Sequence, residues 1–319
     1  MLTHMFYKSL LLAMISFASL TGCGGGGGGG GGGSSSSNGG ANSNTPPVVT
    51  TLSSQNLSLV NPKYLTASGA NLYLTDFVGK VWTIPTNGSA SSSVAATPNV
   101  LGITGITLSG THYIYFSNAD NVFNLGNPTS NLITDTNTNF NGITSSGNLL
   151  YAANAANILV YNMNNPFPTS APLLFNGNPL NMGSNVLSLA VSGGHLYATL
   201  ENSTLARVTL SSGTKEVLTL NGASLNNPNG IVINDGYAYI VNSDIPSGSN
   251  GYISRTNLST NQTVVLVNAS TGVWQTNGTG FCGPVGVAMD GTNLYVSNGN
   301  CPVGDAGYSN RNSILKIAL

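Results

Sequence analysis

One sequence pattern occurs six times along the chain, and this repeat constrains the fold more than any other feature. Each copy has an apolar run, a short turn that contains glycine, and a second run built around a tyrosine. The aligned tyrosines are Tyr73, Tyr115, Tyr151, Tyr197, Tyr239 and Tyr295. The apolar residues alternate with a period of two and include many Val, Ile, Tyr and Thr, which is typical of β-strands joined by tight hairpins.

Weaker strand-like runs follow each tyrosine strand, so that a copy holds four strands in about 45 residues, as a β-propeller blade does. The last copy has only three such runs, ending with residues 313–319, whereas the run at 48–52 precedes the first copy without a partner. We expect residues 48–52 to supply the fourth strand of the last blade, because a closed ring leaves no open sheet edge. The sequence therefore predicts an all-β, six-bladed β-propeller over residues 48–319, with a seven-bladed ring as the alternative.

The residue three positions after the aligned tyrosine is Asn or Asp in five of the six copies. These residues are Asp76, Asn118, Asn154, Leu200, Asn242 and Asn298. An Asn or Asp side chain can close a turn by hydrogen bonding to nearby backbone. Because the feature recurs blade by blade, we expect a structural role for it, and core packing for the tyrosines.

The first 22 residues have the features of a signal peptide. Lys8 supplies positive charge, and the apolar run at 10–20 is too short for a membrane span, which needs about 20 residues. Residues 20–23, Leu-Thr-Gly-Cys, resemble a bacterial lipobox, although an ordinary signal with an incidental cysteine remains the alternative. The resemblance implies that Cys23 is acylated and anchors the protein to a membrane, and Gly24 after it favours the outer membrane, facing the periplasm or the cell exterior.

Residues 23–47 have the composition of a flexible linker. Ten consecutive glycines, Gly24 to Gly33, are followed by Ser, Asn and Gly, and no Gly-Lys-Ser/Thr of a phosphate-binding loop follows them. A chain of this composition behaves as a random coil with a reach of about 25–30 Å. We therefore expect a propeller that is held near the membrane but free to turn.

Charged residues are scarce, at 5% of the chain, with 8 Lys and Arg against 9 Asp and Glu. A nucleic-acid-binding protein needs clustered basic residues to displace the counterions of the phosphates. The composition therefore excludes nucleic acid as a partner. The expected partners are the membrane, through the lipid anchor, and a glycan or a protein.

Two copies carry a resemblance to known repeats: PNGIVINDGYAYIVN from Pro228 and GVAMDGTNLYVSN from Gly286 resemble NHL repeats. Their tyrosine–asparagine ending is also similar to the YVTN repeats of bacterial surface propellers. The resemblance extends to all six copies and implies the propeller fold. It implies no activity, because propellers serve in binding, scaffolding and catalysis alike.

With Cys23 assigned to lipid, Cys282 and Cys301 remain. In an exported protein a remaining pair of cysteines indicates a disulfide, and the predicted topology places both on one face of blade six. A metal or redox pair is the alternative, but the neighbouring His and the Cys-x-x-Cys spacing are missing.

The same face collects the longest insertions of the repeat. Their candidate ligand-binding residues are Asp244, Trp274, Phe281, Asp305, Tyr308 and Arg311. Loops longer than about 2–6 residues are often functional, and aromatic rings beside polar groups suit recognition. A recognition patch and a cap that only covers the ring are both consistent with these loops.

An enzymatic function would resemble that of the gluconolactonase family, whose six-bladed propellers hold a divalent cation with Glu, Asn and Asp at the inner strands. Asn229, in the sequence PNG, resembles one such ligand, and Asn141 in FNG is a second candidate. The positions aligned with them are Lys63, Thr104, Leu187 and Val285. None is a carboxylate, and hard cations are held chiefly by carboxylate oxygens. His112 and His195 are expected on the opposite face, and neither Glu201 nor Glu216 has a histidine near it.

The sequence therefore predicts no catalytic residues, no metal and no cofactor. It favours a lipid-anchored binding or scaffolding propeller of the cell envelope. A metal-dependent lactonase-like hydrolase or a lyase is the first alternative, and a surface adhesin for glycan or protein is the second.

Overall fold

The structure is a computed structural model, and it describes residues 47–52, 56–95, 100–118, 120–134, 140–164, 171–175, 178–243, 251–268, 281, 283–299 and 312–319. These residues form strands and turns, with no helix among them, and hence none that is long and apolar enough to cross a membrane. Six sheets follow one another around an axis. This arrangement confirms the all-β, six-bladed β-propeller, and the seven-bladed alternative is wrong.

Each blade is an antiparallel sheet in which the first strand along the chain is the innermost. The strand β1 (Val49–Thr51) precedes blade one. Blade one contains β2 (Pro62–Ser68), β3 (Asn71–Asp76), β4 (Lys80–Pro85) and β5 (Ser92–Ala95). Blade two contains β6 (Gly102–Leu108), β7 (Thr111–Ser117), β8 (Asn121–Asn124) and β9 (Asn127–Thr134). Blade three contains β10 (Phe140–Ser146), β11 (Leu149–Asn154), β12 (Asn157–Asn162) and β13 (Ala171–Pro172).

A short hairpin, β14 (Leu174–Phe175) with β15 (Asn178–Pro179), follows blade three. Blade four contains β16 (Val186–Ser192), β17 (His195–Leu200), β18 (Leu205–Thr209) and β19 (Thr214–Val217). Blade five contains β21 (Pro228–Asn234), β22 (Tyr237–Asn242), β23 (Tyr252–Asn257) and β24 (Gln262–Asn268), and β20 (Asn221–Gly222) adds to its outer edge in parallel. Blade six contains β25 (Pro284–Met289), β26 (Asn293–Asn298) and β27 (Ser313–Ala318).

The ring closes through strands from the two ends of the described chain. β1 pairs antiparallel with β27, so that Val49 lies opposite Ile317, and β1 becomes the fourth strand of blade six. Beyond the strand, the N–H of Leu52 donates to the carbonyl oxygen of Ile314 at 2.8 Å. The predicted closure by residues 48–52 is therefore confirmed, and the outer edge of β27 is covered.

The six innermost strands contact one another in the order β2, β6, β10, β16, β21, β25 and back to β2. Glycines permit two of these approaches to be close. A Cβ atom on Gly230 would lie 2.9 Å from the carbonyl oxygen of Val285, and one on Gly286 would lie 2.5 Å from that of Lys63. The recurring glycine of the inner strand is therefore a packing requirement between neighbouring blades.

In blade two, the pairing of the first two strands differs from the register that the repeat pattern predicts. The triplet Gly-Ile-Thr occurs twice in succession, at 102–104 and 105–107, and the alignment began with the second copy. In the structure Tyr115 pairs with Thr104, in the first copy. A Cβ atom on Gly102 would meet Ile143 of the next inner strand, as the inner-strand glycines of blades five and six meet theirs. The first triplet is therefore the equivalent one, and Thr104 was aligned wrongly.

The Asn and Asp residues at the ends of the second strands close turns in two blades, as expected. Asp76 accepts from the N–H of Lys80 at 2.9 Å and from Trp82 Nε1 at 2.9 Å. Asn118 Oδ1 accepts from the N–H of Asn121 at 2.8 Å. The aligned tyrosines pack between blades and are buried, apart from Tyr73, which is partly buried. Both repeated features thus maintain the blades.

Candidate ligand site at the propeller axis

Register defines one equivalent position on each of the six inner strands. In blades one, three and five the aligned tyrosine pairs with Thr66, Thr144 and Val232, and the position in question lies three residues earlier. We call the resulting set the axial ring: Lys63, Leu101, Asn141, Leu187, Asn229 and Val285. Leu101 replaces Thr104, the member expected from the sequence. The correction leaves the ring without a carboxylate.

Polar and aliphatic residues alternate around the axial ring. Blades one, three and five contribute the polar residues Lys63, Asn141 and Asn229, whereas blades two, four and six contribute aliphatic residues. In five of the six blades this position lies at a β-bulge between the first two strands. Bulges re-aim side chains, and they occur often next to functional sites. The bulge therefore interrupts the regular alternation of these strands at the ring position, although Val285 of blade six still packs in a core cluster.

Lys63 is the charged member of the ring and is only 8% exposed. Its backbone carbonyl oxygen accepts a hydrogen bond from Ser297 Oγ of blade six at 2.5 Å, which ties its strand to the neighbouring blade. Its Nζ lies 5.7 Å from the centroid of the Phe77 ring. Burial lowers the pKa of the Lys63 ammonium from 10.5 to about 8, because desolvation disfavours the charged form.

Asn229 is fully buried and firmly oriented. Its Nδ2 donates to Ser243 Oγ at 2.7 Å, and that hydroxyl in turn donates to the carbonyl oxygen of Pro284 in blade six. Its own carbonyl oxygen accepts from Thr199 Oγ1 of blade four at 3.1 Å. Asn229 therefore connects three consecutive blades at the level of the ring.

Asn141 occupies the same position in blade three and is 4% exposed. Its Oδ1 is buried and has no hydrogen-bond partner in the described part of the chain. Leaving a buried acceptor unpaired costs about 1–3 kcal/mol, so such atoms are rare in folded proteins and point to a missing water or ligand. The Oδ1 of Asn141 is thus a hydrogen-bond acceptor that is available to a ligand of the ring.

The residues considered for catalysis have other partners. His112 lies between Ser68 Oγ, 2.8 Å from its Nε2, and Thr107 Oγ1, 3.1 Å from its Nδ1, and burial lowers its pKa. Glu216 forms an ion pair with Arg207 at 2.7 Å, and Glu201 accepts from Asn185. Within the described ranges, no three His, Cys, Asp or Glu residues are grouped closely enough to hold a metal ion.

Most of the expected ligand-face residues lie outside the described residues. These are Asp244, Trp274, Asp305, Tyr308 and Arg311, together with Cys282 and Cys301 of the expected disulfide and Cys23 of the expected lipid anchor. Phe281 is described, and it is fully buried in the cluster that contains Val241, Val267 and Val287. Its ring is therefore part of the core between blades five and six and does not form an exposed patch.

The repeat pattern places Lys63 at the ring position but marks it only as a residue that is not a carboxylate, so its role as the charged member of the ring was missed. A signal was present. Pro62 precedes Lys63 as Pro228 precedes Asn229 and Pro284 precedes Val285. The Pro-x pair marks the bulge at which each of these inner strands begins, and it identifies the ring position from the sequence.

Comparison with known proteins supports the fold alone. No family model and no curated protein matches the sequence. Among solved structures, the chain is similar to a protein of unknown function from Bacteroides thetaiotaomicron, with 13% identity, a TM-score of 0.62, and coverage of 85% of this chain and 75% of that chain. It is also similar to hydrazine synthase from Kuenenia stuttgartiensis (16% identity, TM-score 0.51, 76% and 75%) and to U3-55K (11%, 0.54, 85% and 98%).

Proposed function

We propose that this chain is a non-catalytic binding module of the cell envelope, and that its axial ring receives a small polar ligand. The observation that carries the proposal is the alternation of three polar and three aliphatic residues around one level of the axis. Pockets for small molecules combine a mostly apolar wall with a few fixed polar groups. The ring has this composition, and the buried Oδ1 of Asn141 lacks, among the described residues, the partner that a ligand would supply.

The envelope location rests on the sequence. The lipobox-like residues 20–23, the glycine-rich linker after them, and repeats that resemble the NHL and YVTN types are together typical of anchored bacterial propellers. Palmitate labelling tests the anchor: we expect label on the wild type and none on Cys23→Ser. Equal labelling of the two proteins would contradict the lipoprotein assignment.

A metal-dependent hydrolase is the less favoured function. Asn141 and Asn229 do lie at equivalent inner-strand positions, as the lactonase comparison requires. The other four members of the ring are a lysine and three aliphatic residues, whereas proteins hold divalent cations chiefly with carboxylate oxygens. A cation at this level would also be repelled by the ammonium group of Lys63.

Ligand screening tests the binding function. Thermal-shift measurements on the full chain with a panel of sugars, polyols, amino acids and small carboxylates should give stabilisation that Asn229→Ala and Asn141→Ala reduce. A ligand present at 100 times its Kd stabilises the folded state by about 2.7 kcal/mol. If no compound stabilises the protein, or if every shift is the same in both variants as in the wild type, the ring is not the binding site.

A further inference from the structure

We infer that the axial ring selects a small carboxylate that carries a hydroxyl or amine group at a distance from its charge. This inference rests on the proposed binding function and specifies the chemistry of its ligand. It depends on the placement of Lys63 and Asn141 at equivalent positions of blades one and three, on either side of the aliphatic residue of blade two.

The anionic group follows from Lys63. The residue is 8% exposed and is the single charged member of the ring. A carboxylate brought to Nζ accepts charge-assisted hydrogen bonds, which are shorter and about twice as strong as neutral ones. Burial lowers the pKa of Lys63 to about 8, and an adjacent anion acts in the opposite direction by stabilising the ammonium form.

The hydrogen-bond donor follows from Asn141. Its Oδ1 is an acceptor only, and it is buried without a partner within the described ranges. A carboxylate cannot satisfy it, whereas an O–H or N–H group can. Because Asn141 and Lys63 belong to different blades with blade two between them, the donor and the carboxylate must lie at separate ends of the ligand.

The remaining members of the ring limit what lies between these ends. Leu101 and Leu187 present aliphatic side chains, which favour a carbon chain and disfavour a second charge, whereas Val285 is buried in a core cluster. Asn229 has its Nδ2 engaged with Ser243, so this amide group is held in place before any ligand arrives. The ring is therefore asymmetric, with a cationic side at blade one and amide groups at blades three and five.

Three four-carbon probes separate the contributions: 4-hydroxybutyrate has both groups, butyrate lacks the hydroxyl, and 1,4-butanediol lacks the carboxylate. By calorimetric titration of the full chain, we expect 4-hydroxybutyrate to bind about tenfold more tightly than butyrate, the value of one buried hydrogen bond. In Asn141→Ala this ratio should fall to about one. In Lys63→Met both carboxylates should lose at least about tenfold in affinity, while the diol is unaffected.

Two variants control for changes that do not involve the ring. Lys80→Met removes a lysine that lies over the Trp82 ring, and Asn148→Ala removes an asparagine at a hairpin turn of blade three. Both should bind the three probes as the wild type does. Circular dichroism and thermal melts of all four variants show whether each folds, and a ring variant that does not fold is replaced by Lys63→Gln or Asn141→Ser.

The outcomes distinguish the two proposals. Equal affinities of butyrate and 4-hydroxybutyrate for the wild type, or unchanged carboxylate binding in Lys63→Met, would overturn the inference about ligand chemistry. Binding of a neutral panel compound that depends on Asn141 but not on Lys63 would overturn it while leaving the binding function intact. If neither the probes nor the panel bind in a ring-dependent way, both proposals are wrong.

Discussion

Blades three and five carry asparagine at the same position of the inner strand, but the two side chains are in different states. Asn229 of blade five donates to Ser243 and accepts through its backbone from Thr199. Asn141 of blade three has a buried Oδ1 that no described group satisfies. The difference between the two residues therefore lies in the Nδ2 hydrogen bond of Asn229 to Ser243, because the Oδ1 atoms of both are buried.

The difference arises from the residue that follows the second strand. Ser243 follows the second strand of blade five and reaches the carbonyl oxygen of Pro284, so that Asn229 joins a network that crosses into blade six. In blade three the residue at the position of Ser243 is Ala155, which has no hydroxyl to offer. The repeat supplies the asparagine in both blades, and blade three lacks the hydroxyl that anchors Asn229 in blade five.

Lys63 occupies the equivalent position in blade one. Of the predictions made here for the free energy of unfolding, the one for Lys63 is the largest. Its pKa is about 8 in the folded protein, against 10.5 for the unperturbed side chain. Below pH 8 the amine is protonated in the folded and the unfolded chain, and the folded state bears the desolvation cost. Between pH 8 and 10.5 only the unfolded chain binds the proton, so the free energy of unfolding rises with pH, by at most about 3 kcal/mol.

Urea denaturation at several pH values measures this effect. The free energy of unfolding of wild type minus that of Lys63→Met should rise between pH 8 and 10.5 and stay constant from pH 6 to 8. Taking the difference removes the contributions of all groups that the two proteins share. A flat difference across the whole range would mean that the folded protein does not hold this amine in a desolvated state.

Gly230→Ala tests the close approach of the inner strand of blade five, next to Asn229, to the inner strand of blade six. The added Cβ would lie 2.9 Å from the carbonyl oxygen of Val285 and 3.0 Å from the backbone nitrogen of Val287, so backbone must move. We expect a loss of about 2–3 kcal/mol in the free energy of unfolding. Gly126→Ala is the matched control, since its Cβ would meet only a side-chain oxygen of Asn124 at 3.3 Å. Equal stability of the two variants would contradict the close packing of inner strands.

Asn229→Ala should cost less than this glycine substitution. It leaves the buried Ser243 hydroxyl without its donor and removes one hydrogen bond, which corresponds to about 1–2 kcal/mol. A double-mutant cycle with Ser243→Ala isolates the pair, and we expect a coupling energy of about 1 kcal/mol. A coupling near zero would show that Asn229 is not anchored through Ser243 and would weaken the contrast with Asn141.

The fold could be predicted from the sequence more completely than the site. Strand alternation and glycine turns recur in every blade, so the six-bladed ring and its closure by residues 48–52 could be inferred and are confirmed. The tandem Gly-Ile-Thr triplets of blade two have two registers that local pattern does not distinguish. The contact of Gly102 with the neighbouring inner strand distinguishes the two registers. In the observed register Leu101, and not Thr104, is the ring residue of blade two.

The site was harder to infer because its properties come from contacts between residues that are distant in the sequence, many of them in different blades. The anchoring of Asn229 depends on a serine that follows the next strand, and the lowered pKa of Lys63 depends on burial by the assembled ring. Phe281 lies in a long connection, for which the sequence leaves a recognition patch and a cap both open, and its ring is buried in the core between two blades. Composition reveals none of these contacts.

Asn141→Ala has the smallest expected effect and the opposite sign. It removes a buried acceptor that has no partner among the described residues, so the free energy of unfolding should be unchanged or rise by up to about 1 kcal/mol, while Asn229→Ala lowers it. Urea denaturation of the two variants in ligand-free buffer measures the contrast directly. If Asn141→Ala were as destabilising as Asn229→Ala, the Oδ1 of Asn141 would have a partner in the ligand-free protein, and blade three would be as fully anchored as blade five. A stabilised Asn141→Ala that also loses discrimination between 4-hydroxybutyrate and butyrate would show that this residue is retained for binding at a cost to stability.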